Sequence, residues 1–243
     1  MFTTLLTYTL IKFKKIDLAQ PFRFNERFDY VFHAAGYGQP SKFIKDPLST
    51  ISINVDASRE ILSNYLCPRG TFVFFSSAEV YGNVPAGMKK VSELYNGNIS
   101  TIEPRSVYAE SKRLGEVIVA AFASGGRVRG KIVRISHVYG PGAGYFDTRV
   151  MSDFIRSGLQ EKKVRLLDEG MAIKTYGYVG DVAEMILYVA LYGKNLIYNV
   201  GGTDTVSVRE LAEKIARQCA ATVLAPRLKV SLPQIGSDAR FMK

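Results

Sequence analysis

Residues 71–79 read TFVFFSSAE, an unbroken apolar run that ends in two serines, an alanine and a glutamate. So short a run, rich in aromatic and β-branched residues, predicts a strand buried on both faces, because a strand with one wet face would alternate. Two similar runs flank it, residues 29–35 (DYVFHAA) and residues 131–136 (KIVRIS). Between the three lie stretches of helical spacing, about residues 47–66 and 105–123. Strand, helix, strand, helix, strand predicts a parallel sheet with right-handed crossovers, the doubly wound α/β class. In such a sheet the ligand crevice lies beyond the carboxyl ends of the strands, so the residues just after each strand are the ones to read for function. Here they are His33-Ala34-Ala35-Gly36, Ser76-Ser77-Ala78-Glu79 and Ser136-His137-Val138-Tyr139-Gly140-Pro141-Gly142.

The chain has 243 residues, 47% hydrophobic and 22% charged, enough for one large domain with a small lobe. Residues 150–159 and 182–191 have helical spacing, and residues 196–200 (LIYNV) form a short strand before Gly201-Gly202. A last helix over about residues 207–219 opens on Ser207 with Glu210 three residues later, the pattern of a capped start. These later elements predict a smaller lobe over the crevice. Lys12, Lys14 and Lys15 interrupt the apolar opening segment, and no run approaches the roughly 18 apolar residues of a membrane span. The opening also lacks the charged-then-apolar order of a secretory signal. The two cysteines, Cys67 and Cys219, have no metal-ligand spacing and suit a reducing compartment, so a cytoplasmic protein without a metal is expected. The net charge of +10 raises nucleic acid as a partner. The lysines and arginines are scattered, however, with no basic stripe interleaved with aromatics. A solvated basic surface or a diphosphate-bearing small molecule accounts for the excess instead.

Tyr108 and Lys112 stand four apart in the second helical stretch, so their side chains share one face, one turn apart. An ammonium beside a phenol favours the phenolate, which is expected to lower the tyrosine pKa from its usual value of about 10 towards neutrality. Such a tyrosine can act as a base. Many helices carry a Tyr and a Lys at this spacing, so the pair acquires meaning from its neighbours.

Those neighbours are FHAAG, FSSAEVYG, SVYAESK and RISHVYGPG, in this order, from Phe32 to Gly142. Together they resemble the extended branch of the short-chain dehydrogenase/reductase family, the nucleotide-sugar epimerases, dehydratases and decarboxylases. The resemblance continues less sharply through RVMSDFI (residues 149–155) and KTYGYVGDV (residues 174–182). It implies a Rossmann-like fold and NAD as cofactor. Residues 1–145 would hold the NAD-binding part with the catalytic Tyr and Lys, and residues 146–243 the nucleotide-sugar lobe, the two interleaved. Tyr108 would be the base that removes a sugar hydroxyl proton, and Lys112 would hold the nicotinamide ribose. Ser76 and Ser77 would orient the sugar hydroxyl, Ser77 matching the Ser/Thr that the family sets beside its tyrosine. His33, Ala34 and Ala35 would line the cofactor, with Asn54 and Ser136 also on its side, and no proton-transfer role is assigned to His33. Glu79, His137, Arg149 and Lys174 would face the substrate, Arg149 in the region that holds the nucleotide diphosphate. A homodimer through the helix bearing Tyr108 is also implied.

Within the family, the two residues after Ser77 narrow the reaction. The resembling dehydratases have an Asp-Glu pair, the Asp protonating the departing hydroxyl, whereas this chain has Ala78-Glu79. Hydroxide leaves poorly without a proton. SSAEVYG, with Glu93 and Tyr95 ahead of PRSVYAESKR, looks most like the UDP-glucuronate decarboxylases, in which oxidation at C4 makes a β-keto acid that loses CO2. A 4-epimerase needs only Tyr, Lys, Ser/Thr and NAD and stands second, with a 4,6-dehydratase third. Lys174 and His137 depart from that decarboxylase pattern, which has arginine and asparagine there. The family's opening strand and glycine-rich turn find no counterpart, since the first 25 residues contain no glycine. About 45 to 55 residues, two βα units, are thus expected to be missing, along with the last elements of the substrate lobe after residue 240. A non-catalytic relative that binds a nucleotide sugar or a protein partner is the reading of another class.

Overall fold

The structure, a computed structural model, describes residues 11–85, 88 and 90–225. The expected end of the substrate lobe near residue 240 lies outside the described residues. In chain order the elements are β1 (Phe28–His33), α1 (Pro40–Lys45), α2 (Pro47–Asn54), α3 (Asp56–Asn64), β2 (Leu66–Ser77), a 3-10 turn (Ala78–Tyr81), α4 (Ser106–Ser124), β3 (Arg129–Ile135), β4 (His137–Tyr139), α5 (Val150–Glu161), β5 (Lys163–Arg165), β6 (Ile173–Tyr178), α6 (Val179–Tyr192), β7 (Ile197–Val200), β8 (Thr205–Ser207), α7 (Val208–Cys219) and β9 (Thr222–Leu224).

Four strands form a parallel sheet in the order β1-β2-β3-β7. The run that opened the sequence lies at its centre, and its side chains alternate between two covered faces. Phe72 and Phe74 join Ile61, Leu62, Val119 and Ile132 under α3 and α4. Val73 joins Val133, Val182, Ile186 and Val200 under α6. All three β2 residues are fully buried, which is why no polar alternation shows in the sequence. The chain is therefore a mixed α/β protein with a parallel central sheet, as expected.

Two details depart from the expected elements. The helix expected over residues 47–66 is two helices, α2 and α3, separated at Val55. Across that break the Ser58 hydroxyl donates to the Asn54 carbonyl at 2.7 Å. Pro47 opens α2 with Asp46 capping the Ser49 N–H at 3.2 Å. β2 begins earlier than the apolar run, at Leu66, and reaches it through an irregular register opposite Phe28 to Tyr30, with Arg69 at a positive φ of 61°.

Gly115 sets how closely α4 lies on the sheet. A Cβ there would stand 2.4 Å from Phe74 Cζ, so only glycine permits the approach. A second small sheet, β4-β6-β8, begins where β3 ends. Ile135 pairs with Val200 in the first sheet and His137 with Tyr176 in the second, so Ser136 alone carries the chain from one to the other. Its N–H donates to the Val200 carbonyl at 2.9 Å. Beyond it, Phe154, Val164, Leu166, Leu211, Ala212 and Ala216 form a separate core between α5, β5 and α7. The capping box expected at Ser207 and Glu210 starts α7.

Candidate active site

Tyr108, Lys112 and Glu116 succeed one another at four-residue steps along the face of α4 that meets the sheet. Lys112 is buried, with its Nζ 4.9 Å from the centre of the Phe74 ring. Tyr108 is half-buried, and its ring stacks on Phe43 of α1 at 5.1 Å. The Ser77 side chain at the end of β2 lies beside the Tyr108 hydroxyl and favours its phenolate form. The Ser77 Oγ also accepts from the Glu79 N–H at 3.2 Å, which fixes it over the 3-10 turn. The Glu79 carboxylate in turn faces Arg105 at 3.6 Å.

The electrostatics differ from the sequence expectation. Burial raises Tyr108 above the ordinary phenol range; the Ser77 side chain lowers it, Glu79 raises it and Arg149 lowers it. Lys112 does not produce the expected depression, because burial lowers its own pKa to about 7, against the opposing pull of Glu116. A lysine whose ammonium faces a phenylalanine ring inside the sheet–helix interface is itself short of charge stabilisation.

Ser76 and Ser77 separate in role. Ser76 is buried and donates to Glu116 Oε1 at 2.5 Å, below the helix, rather than to the crevice. Its partner Glu116 forms a two-bonded ion pair with Arg134 of β3, at 2.9 and 2.6 Å. Arg134 also donates to Tyr81 Oη at 3.1 Å, and Tyr81 donates to Asn199 of β7 at 2.7 Å. This buried chain joins α4 to three strands. His33 likewise turns inward: its Nε2 donates to the Ile53 carbonyl at 3.0 Å, its ring lies against Phe72 and Phe74, and burial lowers its pKa to about 4. Of the first strand-end motif, Ala34 and Ala35 lie past the end of β1 and are not buried.

Asn54, Gly36 and Lys112 form one corner. The Asn54 side chain is fully buried; its Nδ2 donates to Ser111 Oγ at 2.9 Å, while its Oδ1 has no partner among the described residues. A Cβ on Gly36, at a φ of +151°, would come 3.3 Å from Asn54 Oδ1 and 3.5 Å from Lys112 Nζ. Ser136 Oγ is a second buried hydroxyl without a partner among the described residues. His137 sits on β4 against Tyr176 at 5.5 Å, and its pKa is lowered to about 3 by burial and by Lys174, Arg149 and Arg105 around it. Arg149 precedes α5 and is held by Asp147, with Nε–Oδ2 at 2.9 Å. Arg105, Phe43 and Gly36 were not expected from the sequence as site residues. Arg105 and Gly36 stand inside or beside the motifs quoted above, whereas nothing local marks Phe43.

A phenol beside a serine side chain, one helical turn from a buried lysine and beyond the carboxyl ends of a parallel sheet, is the arrangement expected of a dinucleotide-binding fold. Residues 6–201 match the NAD dependent epimerase/dehydratase family, and the chain belongs to it. Over 189 residues, 77% of this chain, it is 30% identical to UDP-glucuronic acid decarboxylase 1 of Arabidopsis thaliana, with 42% of that protein covered. Against UDP-glucuronic acid decarboxylase 1 of Xenopus tropicalis the identity is 28%, with 44% covered. The chain thus spans less than half the length of these two relatives. Among solved structures, an NAD dependent NDP-hexosamine 5,6-dehydratase of tunicamycin biosynthesis superposes with a TM-score of 0.71 at 25% identity, over 88% of this chain and 67% of that one. The fold of Thermus thermophilus UDP-glucose 4-epimerase, solved with NAD, also superposes at 0.71, with 24% identity and coverage of 88% and 69%. The corner formed by Asn54, Gly36 and Lys112 fits a cofactor ribose: a cationic donor, a buried acceptor without a partner among the described residues and a backbone free of side chain suit vicinal hydroxyls.

Proposed function

We propose that this chain carries the catalytic centre of an NAD-dependent enzyme that converts a nucleotide sugar through a 4-keto intermediate, with decarboxylation of UDP-glucuronate as the reaction. The observation that carries this reading is the juxtaposition of Tyr108 with Ser77 and Glu79 at the end of β2, with the buried Lys112 one turn along α4. Tyr108, oriented by Ser77, takes the proton from the sugar C4 hydroxyl. Lys112 and Asn54 hold the ribose, and Ser136, Ala34 and Ala35 lie along the cofactor side. NAD, when bound, supplies a reversible hydride acceptor. With a ketone at C4 the C5 carboxylate belongs to a β-keto acid, and CO2 leaves without an acid to expel it. Arg149 and Lys174 supply positive charge for an anionic substrate near His137. Ala78 is buried among Val80, Tyr81 and Val91, so no acid stands there to protonate a departing hydroxyl, which weighs against dehydration. A 4-epimerase is the second reading, favoured by the pairing of Glu79 with Arg105, which makes Glu79 a wall of the crevice. In this reading residues 1–145 serve the cofactor and residues 146–243 the nucleotide, and the exposed Leu114 and Val117 of α4 support a homodimer through that helix.

The test is calorimetry with NAD+ and then measurement of CO2 and UDP-xylose formed from UDP-glucuronate. NAD+ binding with CO2 release is expected, and Tyr108→Phe should lower turnover about a hundred- to ten-thousand-fold with NAD+ binding retained. Binding without CO2 release but with interconversion of UDP-glucose and UDP-galactose makes the chain an epimerase. No binding at millimolar NAD+ overturns the catalytic reading in favour of a non-catalytic relative.

A further inference from the structure

Arg105 precedes α4, three residues before Tyr108, and the reaction proposed above does not use its guanidinium. Its Nε is buried and has no hydrogen-bond partner among the described residues. Its Nη2 lies 3.6 Å from Glu79 Oε1, a charge contact too long to be a hydrogen bond. The group is nevertheless held in place: its Cζ lies 5.7 Å from the centre of the Phe43 ring, and Phe43 stacks on Tyr108 at 5.1 Å. A planar cation with unspent donors is thus fixed one ring away from the phenol.

The neighbouring cations are differently disposed. Arg149 commits its fork to Asp147, with bonds of 2.9 and 2.5 Å. Lys174 carries a point charge rather than a fork. Arg105 alone of the three combines the two-pronged geometry that suits a carboxylate with a buried N–H that no described residue satisfies. The Phe43 ring shared by Arg105 and Tyr108 sets the guanidinium on the Tyr108 side of the site, which bears on the anion it takes. In a nucleotide sugar the diphosphate hangs from C1, across the ring from a C4 hydroxyl, whereas a C5 carboxylate is adjacent to it.

We propose that Arg105 is the specificity residue of this site and receives the carboxylate borne on the sugar carbon next to the one whose hydroxyl meets Tyr108. The inference rests on the nucleotide-sugar reading above. It makes uronic acid nucleotides the substrate class and gives Glu79 a second task, as the anion that holds the guanidinium in readiness until the substrate's carboxylate takes its place.

The test compares UDP-glucuronate with UDP-glucose, which differ only in that carboxylate, by calorimetry on the full chain in the presence of NAD+. Wild type should prefer UDP-glucuronate by about tenfold or more. Arg105→Gln should bring the ratio close to one while leaving UDP-glucose affinity within about twofold, and Arg105→Lys should keep part of the preference. Circular dichroism of each variant verifies that it is folded. A preference that survives in Arg105→Gln overturns the assignment, as does an equal fall for both nucleotides, which would place Arg105 on the diphosphate. Failure of wild type to bind either nucleotide overturns the underlying reading as well, and so is distinguishable from failure of Arg105 alone.

Discussion

Lys112 is placed where its charge is least welcome. It is buried against Phe74, and it gives up its proton near pH 7 rather than near 10.5. Between those values the unfolded chain binds a proton that the folded chain has released, so stability rises with pH across this window and the full penalty is felt below pH 7. Lys112→Met should therefore melt higher than wild type at pH 6, by up to roughly 4 kcal/mol of stability, with the gap closing towards pH 10 and turnover lost. Thermal unfolding monitored by circular dichroism at the two pH values measures this, and a variant less stable than wild type at pH 6 contradicts it. Trading stability for a functional group in this way is common at active sites. The sequence displayed Tyr108, Lys112 and Ser77 because helical spacing and a strand end are local patterns. It could not display the direction of the tyrosine's pKa, which depends on burial by residues far along the chain such as Phe43, nor the Oδ1 of Asn54, without a partner among the described residues, which becomes a feature only when α2 meets α4.

α4 is anchored at the Glu116 end of its sheet-facing stripe. Below Lys112, the Glu116–Arg134 pair ties the helix to β3, and Ser76 ties it to β2. Removing one member of such a pair leaves the other as an unpaired buried charge. Glu116→Leu is expected to cost about 3–5 kcal/mol in chemical denaturation, and the double variant Glu116→Leu with Arg134→Met to recover most of that loss. Additive losses in the double variant would show that the two act separately. The central strands and long helices were readable because each carries enough residues to show a period. The three-residue strands β4, β5, β8 and β9 do not, and β6 lies in a stretch that drew notice only through its resemblance to the family. The break between α2 and α3 was also hidden, since no proline or glycine stands near Val55 to mark it.

At the scale of the molecule, both histidines are built in as neutral groups. Burial holds His33 near 4 and His137 near 3, while unfolded histidines titrate at about 6.5. Below 6.5 the unfolded chain takes up protons that the folded chain refuses, so stability falls as the pH drops towards 4. Urea denaturation should show roughly 3–5 kcal/mol less stability at pH 4.5 than at pH 7, and His33→Gln should flatten that slope. An unchanged slope in the variant would remove His33 from the account. The parallel sheet was legible from its three apolar runs, but the second sheet, and the lobe's own core beyond it, arise from pairings between segments that show no mutual signal in the sequence. The crossing between the two sheets at Ser136 also governs how the protein can move. The residues on either side of it are paired into different sheets, and its own N–H is bonded to β7. A jaw-like opening about this point would have to tear strand pairing, so the floor of the crevice is a fixed seam rather than a hinge. Any freedom to open lies instead with the segment between β4 and α5, where the side chains of Tyr145 and Phe146 stand exposed.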